Sequence, residues 1–475
     1  MRQPIKLFLF SIVFLTTIIG YAQDECKAVG WATQNGGVTG GDTATPTVLT
    51  TYAALKTALT IASVKVVQVS GVITFPANGR ITIQDTDGKT VIGLAGSRMI
   101  SIDLTSAGSG ILYIKRTKNL ILRNLTFEGP GAYDVDGNDN LTVDDCQNLW
   151  VDHCDFQDGM DGNFDIKNMS SYISVTWCKF QYLKPPIPGG SGGTDDHRFS
   201  DLLGSSDTAT QDDGNLFIIF QYCWWAQGCV ERMQRVRFGK VHIANCYYTS
   251  SVSNTCVRAG YKTNLLVESN VFSGVKSPID LYNNDFTAVT AKNNIFTNTT
   301  GGTTGSGTAF TPPYTLTIAP ASTVQSLVTN TACGSGATLD SPTQCGCGTV
   351  VNQSPTATLT APFTGSTGCV GTAITLKATV TDDVSISKVD FYNGTTLLGS
   401  DTNTPYSITY TPTAAATLSI KAIGTDGTGL TGSSSTVSVT VSALPTATIT
   451  SSLYLFLCRR IGSAYIKYRC FIQMV

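Results

Sequence analysis

Apolar and polar positions along the middle of the chain repeat as short runs with an aromatic residue at a fixed place in each. His153-Cys154-Asp155-Phe156, Trp177-Cys178-Lys179-Phe180, Tyr222-Cys223-Trp224-Trp225 and Asn245-Cys246-Tyr247-Tyr248 all set a cysteine two residues before a ring. The same position continues as Ser269-Asn270-Val271-Phe272 and Asn293-Asn294-Ile295-Phe296, and it begins near Asn124-Leu125-Thr126-Phe127. Steps from 223 to 246, 270 and 294 are 23, 24 and 24 residues. A fixed period of this size marks a solenoid, and each copy carries a short β-rich run such as Lys240-Val241-His242-Ile243 instead of a helix pair. The predicted fold is therefore all-β, a right-handed parallel β-helix in which equivalent residues of successive turns stack roughly 4.8 Å apart. The interval from 178 to 223 is 45 residues, nearly two periods, and contains Lys184-Pro185-Pro186-Ile187-Pro188-Gly189-Gly190. A loop should bulge from the coil there, and loops on a rigid scaffold commonly carry function.

Beyond residue 300 the chain turns Gly- and Thr-rich. The β-helix domain is expected over 24–345, a linker over 346–353, and a second module over 354–443. That module has short alternating strands such as Lys388-Val389-Asp390-Phe391-Tyr392 broken by turns such as Asn393-Gly394, the pattern of a small β-sandwich. Its stretch from Val389 to Gly394, with Asp401 and Pro405-Tyr406, resembles bacterial immunoglobulin-like modules. At the other end, Arg2 and Lys6 precede an apolar run from Leu7 to Ile19, followed by Gly20-Tyr21-Ala22-Gln23. Residues 1–23 read as a signal peptide, which implies secretion and no membrane span in the mature protein. Residues 444–475 form an atypical tail: its last 25 residues hold no Asp or Glu, as a truncated or frameshifted module would.

Only 13% of residues are charged, with Gly abundant at 46, which favours short strands over long helices. The formal charge is −2, but Arg2, Lys6, Arg459, Arg460, Lys467 and Arg469 lie in the two terminal segments. Without those six, 25 of the 31 basic residues face 33 acidic ones, which disfavours a nucleic-acid partner. An acidic polymer remains compatible if arginines and a metal gather in one cleft. The 14 cysteines of an exported chain suggest disulfides, yet those at the repeated position should be reduced, buried thiols, because parallel stacking seldom gives the required torsion. Pairing of Cys223 with Cys229, or Cys246 with Cys256, is left open.

Polar chemistry concentrates in three segments, 139–153, 158–165 and 232–242. Asp158-Gly159-Met160-Asp161-Gly162-Asn163-Phe164-Asp165 places two carboxylates four apart, with Asp139 upstream. Hard cations take several oxygen ligands, so the three acids could hold calcium across turns. The competing reading is that Asp and Gly simply make turns. In Arg232-Met233-Gln234-Arg235-Val236-Arg237, residues 232 and 237 would point to opposite faces of a regular strand, so the backbone should bend if both serve one site. The competing reading here is a solvated basic edge. His153 and His242 fit structural roles, while His197 sits in the loop.

Taken together, the residues resemble the pectate lyase family that groups pectate and pectin lyases, over roughly 25–340. The likeness runs from Val29-Gly30-Trp31-Ala32 and Gly36-Gly37-Val38-Thr39-Gly40-Gly41 through Leu149-Trp150-Val151-Asp152-His153-Cys154 to Pro312-Pro313-Tyr314. By position, the resemblance implies calcium ligands at Asp139, Asp161 and Asp165, a catalytic base at Arg232 and a substrate-carboxylate contact at Arg237. An intact acidic set points to pectate over methylated pectin. Two departures stand out: Gln234 replaces the usual proline, and Phe199 occupies the place of a family lysine, with Arg198 beside it as the substitute contact. The implied reaction is calcium-dependent β-elimination of polygalacturonate by a secreted monomer. An arginine base requires its charged form to be disfavoured by neighbouring cations, which implies an alkaline optimum. A paired-carboxylate hydrolase, a pectin lyase and a non-catalytic glycan-binding β-helix are the alternatives.

Overall fold

A computed structural model describes residues 26–345, 354–382, 386–427 and 429–444. The expected leader, the linker over 346–353 and the tail from 445 onward lie outside the described residues. What is described forms two compact units that divide between residues 353 and 354.

Three parallel sheets of ten, eight and nine strands build the first unit. A turn places one strand in each: Leu141–Asp144 in the eight-stranded sheet, Gln147–Asp152 in the ten-stranded sheet and Asp155–Gln157 in the nine-stranded sheet. The next turn repeats the pattern with Phe164–Lys167, Ser171–Thr176 and Lys179–Gln181. Every pairing joins a strand to its equivalents one turn before and one turn after, as a parallel β-helix requires.

The repeated sequence position explains why the turns stack in register. Phe127, Phe156, Phe180, Trp225, Tyr248, Phe272 and Phe296 form a continuous column with centroids 4.4 to 5.2 Å apart and planes within 13° of parallel. Each stacked pair contributes about 0.5–1.5 kcal/mol beyond its buried area. The cysteines two residues earlier form a second buried column. Cys154, Cys178, Cys223 and Cys246 are free, and each thiol donates to the carbonyl of an earlier turn. Cys229 and Cys256 are also free and buried, so neither alternative pairing occurs. Burial pushes the Cys154, Cys178 and Cys223 thiols well up, which keeps them protonated and inert.

Just before the column, the chain turns a corner through one residue in the left-handed region. His153, Trp177, Tyr222 and Asn245 all adopt it, with φ between 47° and 53°. Phe180 pairs directly with Trp225, so the 45-residue interval is a single turn lengthened by loops. One loop runs from 182 to 198 between the strands Lys179–Gln181 and Phe199–Leu203.

Both ends of the coil are tied. A disulfide joins Cys26 to Cys345 across 319 residues of sequence, a pairing that the repeat pattern does not predict. Near the N-terminal end, the helix Tyr52–Thr60 buries Leu55, Ala58 and Leu59 against the coil. Lys89, fully buried, donates to the carbonyls of Ala58, Ile61 and Val64 and so satisfies the helix's C-terminal acceptors. A second helix, Ala321–Val328, packs Val324 and Val328 against Trp177, Tyr222, Tyr247 and Val271.

The second unit is a small sandwich. Strands Thr356–Ala361, Ile374–Thr381 and Ser407–Tyr410 form one antiparallel sheet, and Ile386–Asn393, Ala416–Asp426 and Val437–Ser442 anchor the other. Leu376, Ala378, Val389, Phe391, Leu418 and Ile420 fill the space between them. Alternation along Val437–Ser442, apolar in and polar out, is the period-two signature of such a layer.

Candidate active site

The candidate chemistry lies on the eight-stranded sheet. Along a strand of this coil alternate residues face inward, so Phe164 and Ile166 enter the core while Asp165 and Lys167 point outward. In register on neighbouring turns, Thr142 stands beside Asp165, Asp165 beside Leu202, Leu202 beside Arg235, and Arg235 beside Arg258. This outward row runs from acidic to basic across the sheet.

Asp139 precedes the strand Leu141–Asp144 and is buried. Its Oδ2 accepts from Thr142 Oγ1 at 2.9 Å, while its Oδ1 has no hydrogen-bond partner. Burial, then the charges of Asp165 and Asp161, push the Asp139 carboxyl well above the usual range. Asp165 accepts from the Leu202 N–H at 3.1 Å. Burial raises it to about 6, against the opposing pull of Arg232 and Lys167. Gly162 lets these acids approach: a Cβ there would lie 2.6 Å from Asp139 Oδ1. Three mutually repelling acids with an orphaned buried oxygen and a space kept open by glycine fit a hard cation.

Asp161 is less buried than the other two, and its Oδ1 is hydrogen-bonded to His197 Nε2 at 3.0 Å. The other ring nitrogen of His197 lies 3.2 Å from Asp134 Oδ1. His197 thus ties the long loop to the acidic group. Asp158, by contrast, supports the turn reading for its own position, since its Oδ1 accepts from the N–H groups of Leu183 and Lys184 at 2.6 and 2.8 Å. Neither it nor His153, fully buried against Asp152 and stacked on Trp177, faces the row. His242 is held by Glu268 and Tyr314.

The expected bend in the arginine segment is a bulge. Asp201 pairs with Met233 and Leu202 with Arg235, which leaves Gln234 as the extra residue. Gln234 turns inward, and its Oε1 accepts from the Tyr248 hydroxyl at 3.1 Å. One extra residue restores parity, so Arg232, Arg235 and Arg237 can share a face. Arg232 itself sits in the left-handed region, at φ 54°. Its guanidinium lies 4.9 Å over the Phe199 ring and, among the described residues, makes no hydrogen bond or ion pair.

Arg237 is nearly buried and engaged by the protein. Its Nε donates to Asp207 at 2.7 Å and its Nη1 to the Gly204 carbonyl at 3.0 Å, while Nη2 makes no hydrogen bond among the described residues. Arg198 forms a two-pronged pair with Asp196 at 2.7 and 2.6 Å. The Val230 N–H donates to the Arg198 carbonyl, and Phe199 pairs with Glu231, so the strand keeps a fixed register with Phe199, not Arg198, against Arg232.

Arg258, Tyr282 and Asp201 had no distinctive mark in the sequence, whereas Arg235 stands in the arginine segment itself. Arg235 and Arg258 lie over the same Tyr282 ring, at 5.6 and 4.9 Å. Desolvation, then Arg237, Arg232 and Arg258, lowers Arg235. Beneath the row, Asp201 is buried inside the coil, where it accepts from Trp225 Nε1 at 2.7 Å and is held well above the usual carboxyl range by burial. Lys167 could have been found from its spacing, two residues after Asp165 on one face. No cluster of three metal-binding side chains is already drawn together among the described residues. A cavity of about 450 Å³, lined by Lys27, Asp42, Ile121 and Trp150, lies off this row, against strands of the ten-stranded sheet.

Comparison with known proteins places this geometry in context. The family model described as pectate lyase matches residues 10–338, and one described as a bacterial Ig domain matches 355–422. Probable pectate lyase B of Aspergillus terreus is 32% identical over 260 residues, which cover 53% of this chain and 70% of that protein. The pectate trisaccharide-lyase of Thermotoga maritima is 32% identical over 193 residues, 39% of this chain and 45% of that one. Among solved structures, the pectate lyase pelN of Paenibacillus sp. 0602 superposes with a TM-score of 0.53 at 17% identity, covering 68% of this chain and 98% of the other. That likeness is one of fold: a parallel β-helix.

Proposed function

Because this chain belongs to the pectate lyase family, a family of polysaccharide lyases, we propose that it is a secreted, calcium-dependent enzyme that cleaves (1→4)-α-D-galacturonan by β-elimination and releases 4,5-unsaturated oligogalacturonates. The observation that carries the reading is the juxtaposition on one sheet of a buried acidic group with an arginine whose guanidinium is otherwise uncommitted.

Asp139, Asp161 and Asp165 are the residues that would hold calcium. Bound there, the ion would neutralise a uronate carboxylate and so acidify the adjacent C5 proton. Arg232, resting on Phe199 with its donors free, is assigned as the base that takes this proton. The C5–H electron pair becomes the C4–C5 double bond as the C4–O4 bond breaks, and the departing oxygen takes a proton from water. Charge that develops on the C6 carboxylate faces the basic end of the row. Asp207 and the Gly204 carbonyl orient Arg237, leaving Nη2 to meet that carboxylate. Preorganised charge of this kind usually supplies the largest share of rate enhancement. Arg198 would reach a uronate only by giving up Asp196. The step needs a neutral guanidine, so the rate should climb with pH into the alkaline range.

The test is ultraviolet absorbance of unsaturated product from polygalacturonate at alkaline pH, with calcium, with a chelator, and with Arg232→Ala. Signal from wild-type protein that disappears in the other two arms is expected. Turnover of methylated pectin alone without calcium, reducing ends without a conjugated double bond, or tight binding without product would each replace this reading.

A further inference from the structure

Arg232 has an unusual setting for a charged group in a site rich in acids. Its guanidinium makes no hydrogen bond or ion pair with a carboxylate or carbonyl among the described residues, and it lies over the face of Phe199. Phe199 is itself in contact with a second ring. The His197 ring packs against it at 4.2 Å, tilted by 43°, and His197 Nε2 is hydrogen-bonded to Asp161, with Asp134 beside its other nitrogen. The strand that carries Phe199 is also locked, through the Val230–Arg198 backbone hydrogen bond and the pairing of Phe199 with Glu231.

Resting on the reading above, we infer that Phe199 is a positioning residue for Arg232: its ring supplies the cation–π contact that fixes the guanidinium while leaving all its N–H groups free, and through His197 it registers the arginine to the acidic group. A carboxylate in the same place would hold the arginine more firmly, but it would occupy the donors and favour the charged form more strongly than the ring does. An aromatic face attracts the cation through its quadrupole without using any N–H group. Left-handed backbone at Arg232 and the neighbouring bulge aim the side chain at the ring. Phe199 touches no reacting atom in this scheme, so its effect should fall on turnover more than on binding.

Phe199 is half-buried, so replacing it should leave the coil folded. In Phe199→Leu the expected result is a fall in kcat of about tenfold with KM within twofold of wild type, on polygalacturonate with saturating calcium. Phe199→Tyr and Phe199→Trp, which restore an aromatic face, should recover most of that loss. Phe199→Met, unbranched and adaptable in packing, carries the same test if the leucine variant melts early. The contact is also read without turnover. In protein labelled with ¹⁵N-arginine, the Arg232 Nε–Hε resonance, assigned by its absence in Arg232→Lys, should shift by a ring-current effect that Phe199→Leu abolishes. Wild-type kcat in the leucine variant, or an unshifted resonance, overturns the inference. Inactive wild-type protein with the shifted resonance overturns the lyase reading instead.

Discussion

At the scale of single residues, the acidic group depends on what is missing as much as on what is present. Gly162 has no side chain where a Cβ would sit 2.6 Å from Asp139 Oδ1. Gly162→Ala should displace the Asp139 carboxylate and weaken calcium binding by about tenfold, as changes around metal ligands commonly do. Calorimetric titration measures this directly, and activity should return at high calcium. Two of the arginines singled out from sequence should separate in effect. Arg232→Ala is expected to lower kcat by about a thousandfold, in the range for losing a general base. Arg198→Ala should change kcat/KM by less than about threefold, because the Arg198 guanidinium is already committed to Asp196 through two hydrogen bonds. Comparable losses in both variants would move the substrate contact to Arg198.

At the scale of strands and turns, the regularity and the places of its interruptions were legible, while the contacts made at those interruptions were not. The cysteine and aromatic positions recur at near-constant spacing, so the coil and its inward columns follow from the sequence alone. The acids and arginines were found through their motifs, but their shared face depends on the bulge at Gln234, which one inserted residue creates without a compositional mark. Contacts such as His197 with Asp161 join a loop to a turn 36 residues away, and no period encodes them. Phe199 on Arg232 was hidden for the same reason. The aromatic column also sets an expectation for stability. Phe180 is fully buried between Phe156 and Trp225, and Phe180→Ala should cost about 3–5 kcal/mol in denaturant unfolding.

For the whole molecule, the acids link stability to pH and to calcium. The Asp165 carboxyl is raised to about 6 and the Asp139 carboxyl is also raised, whereas an unfolded aspartate titrates near about 4. Between those values the folded chain binds more protons than the unfolded one, so this contribution to stability falls as pH rises. Metal-free protein should therefore lose melting temperature between about pH 4 and 7, in the range those values set. Calcium should reverse the loss, with a larger shift at pH 8 than at pH 5, where protons compete for the same oxygens. A calcium shift independent of pH would place the ion elsewhere. Finally, the Cys26–Cys345 bond turns the catalytic unit from a line into a ring. A protease that cuts the 182–198 loop once would open that ring without releasing a piece. Nicked enzyme should therefore migrate as one chain on a non-reducing gel and separate into two only after a reductant is added.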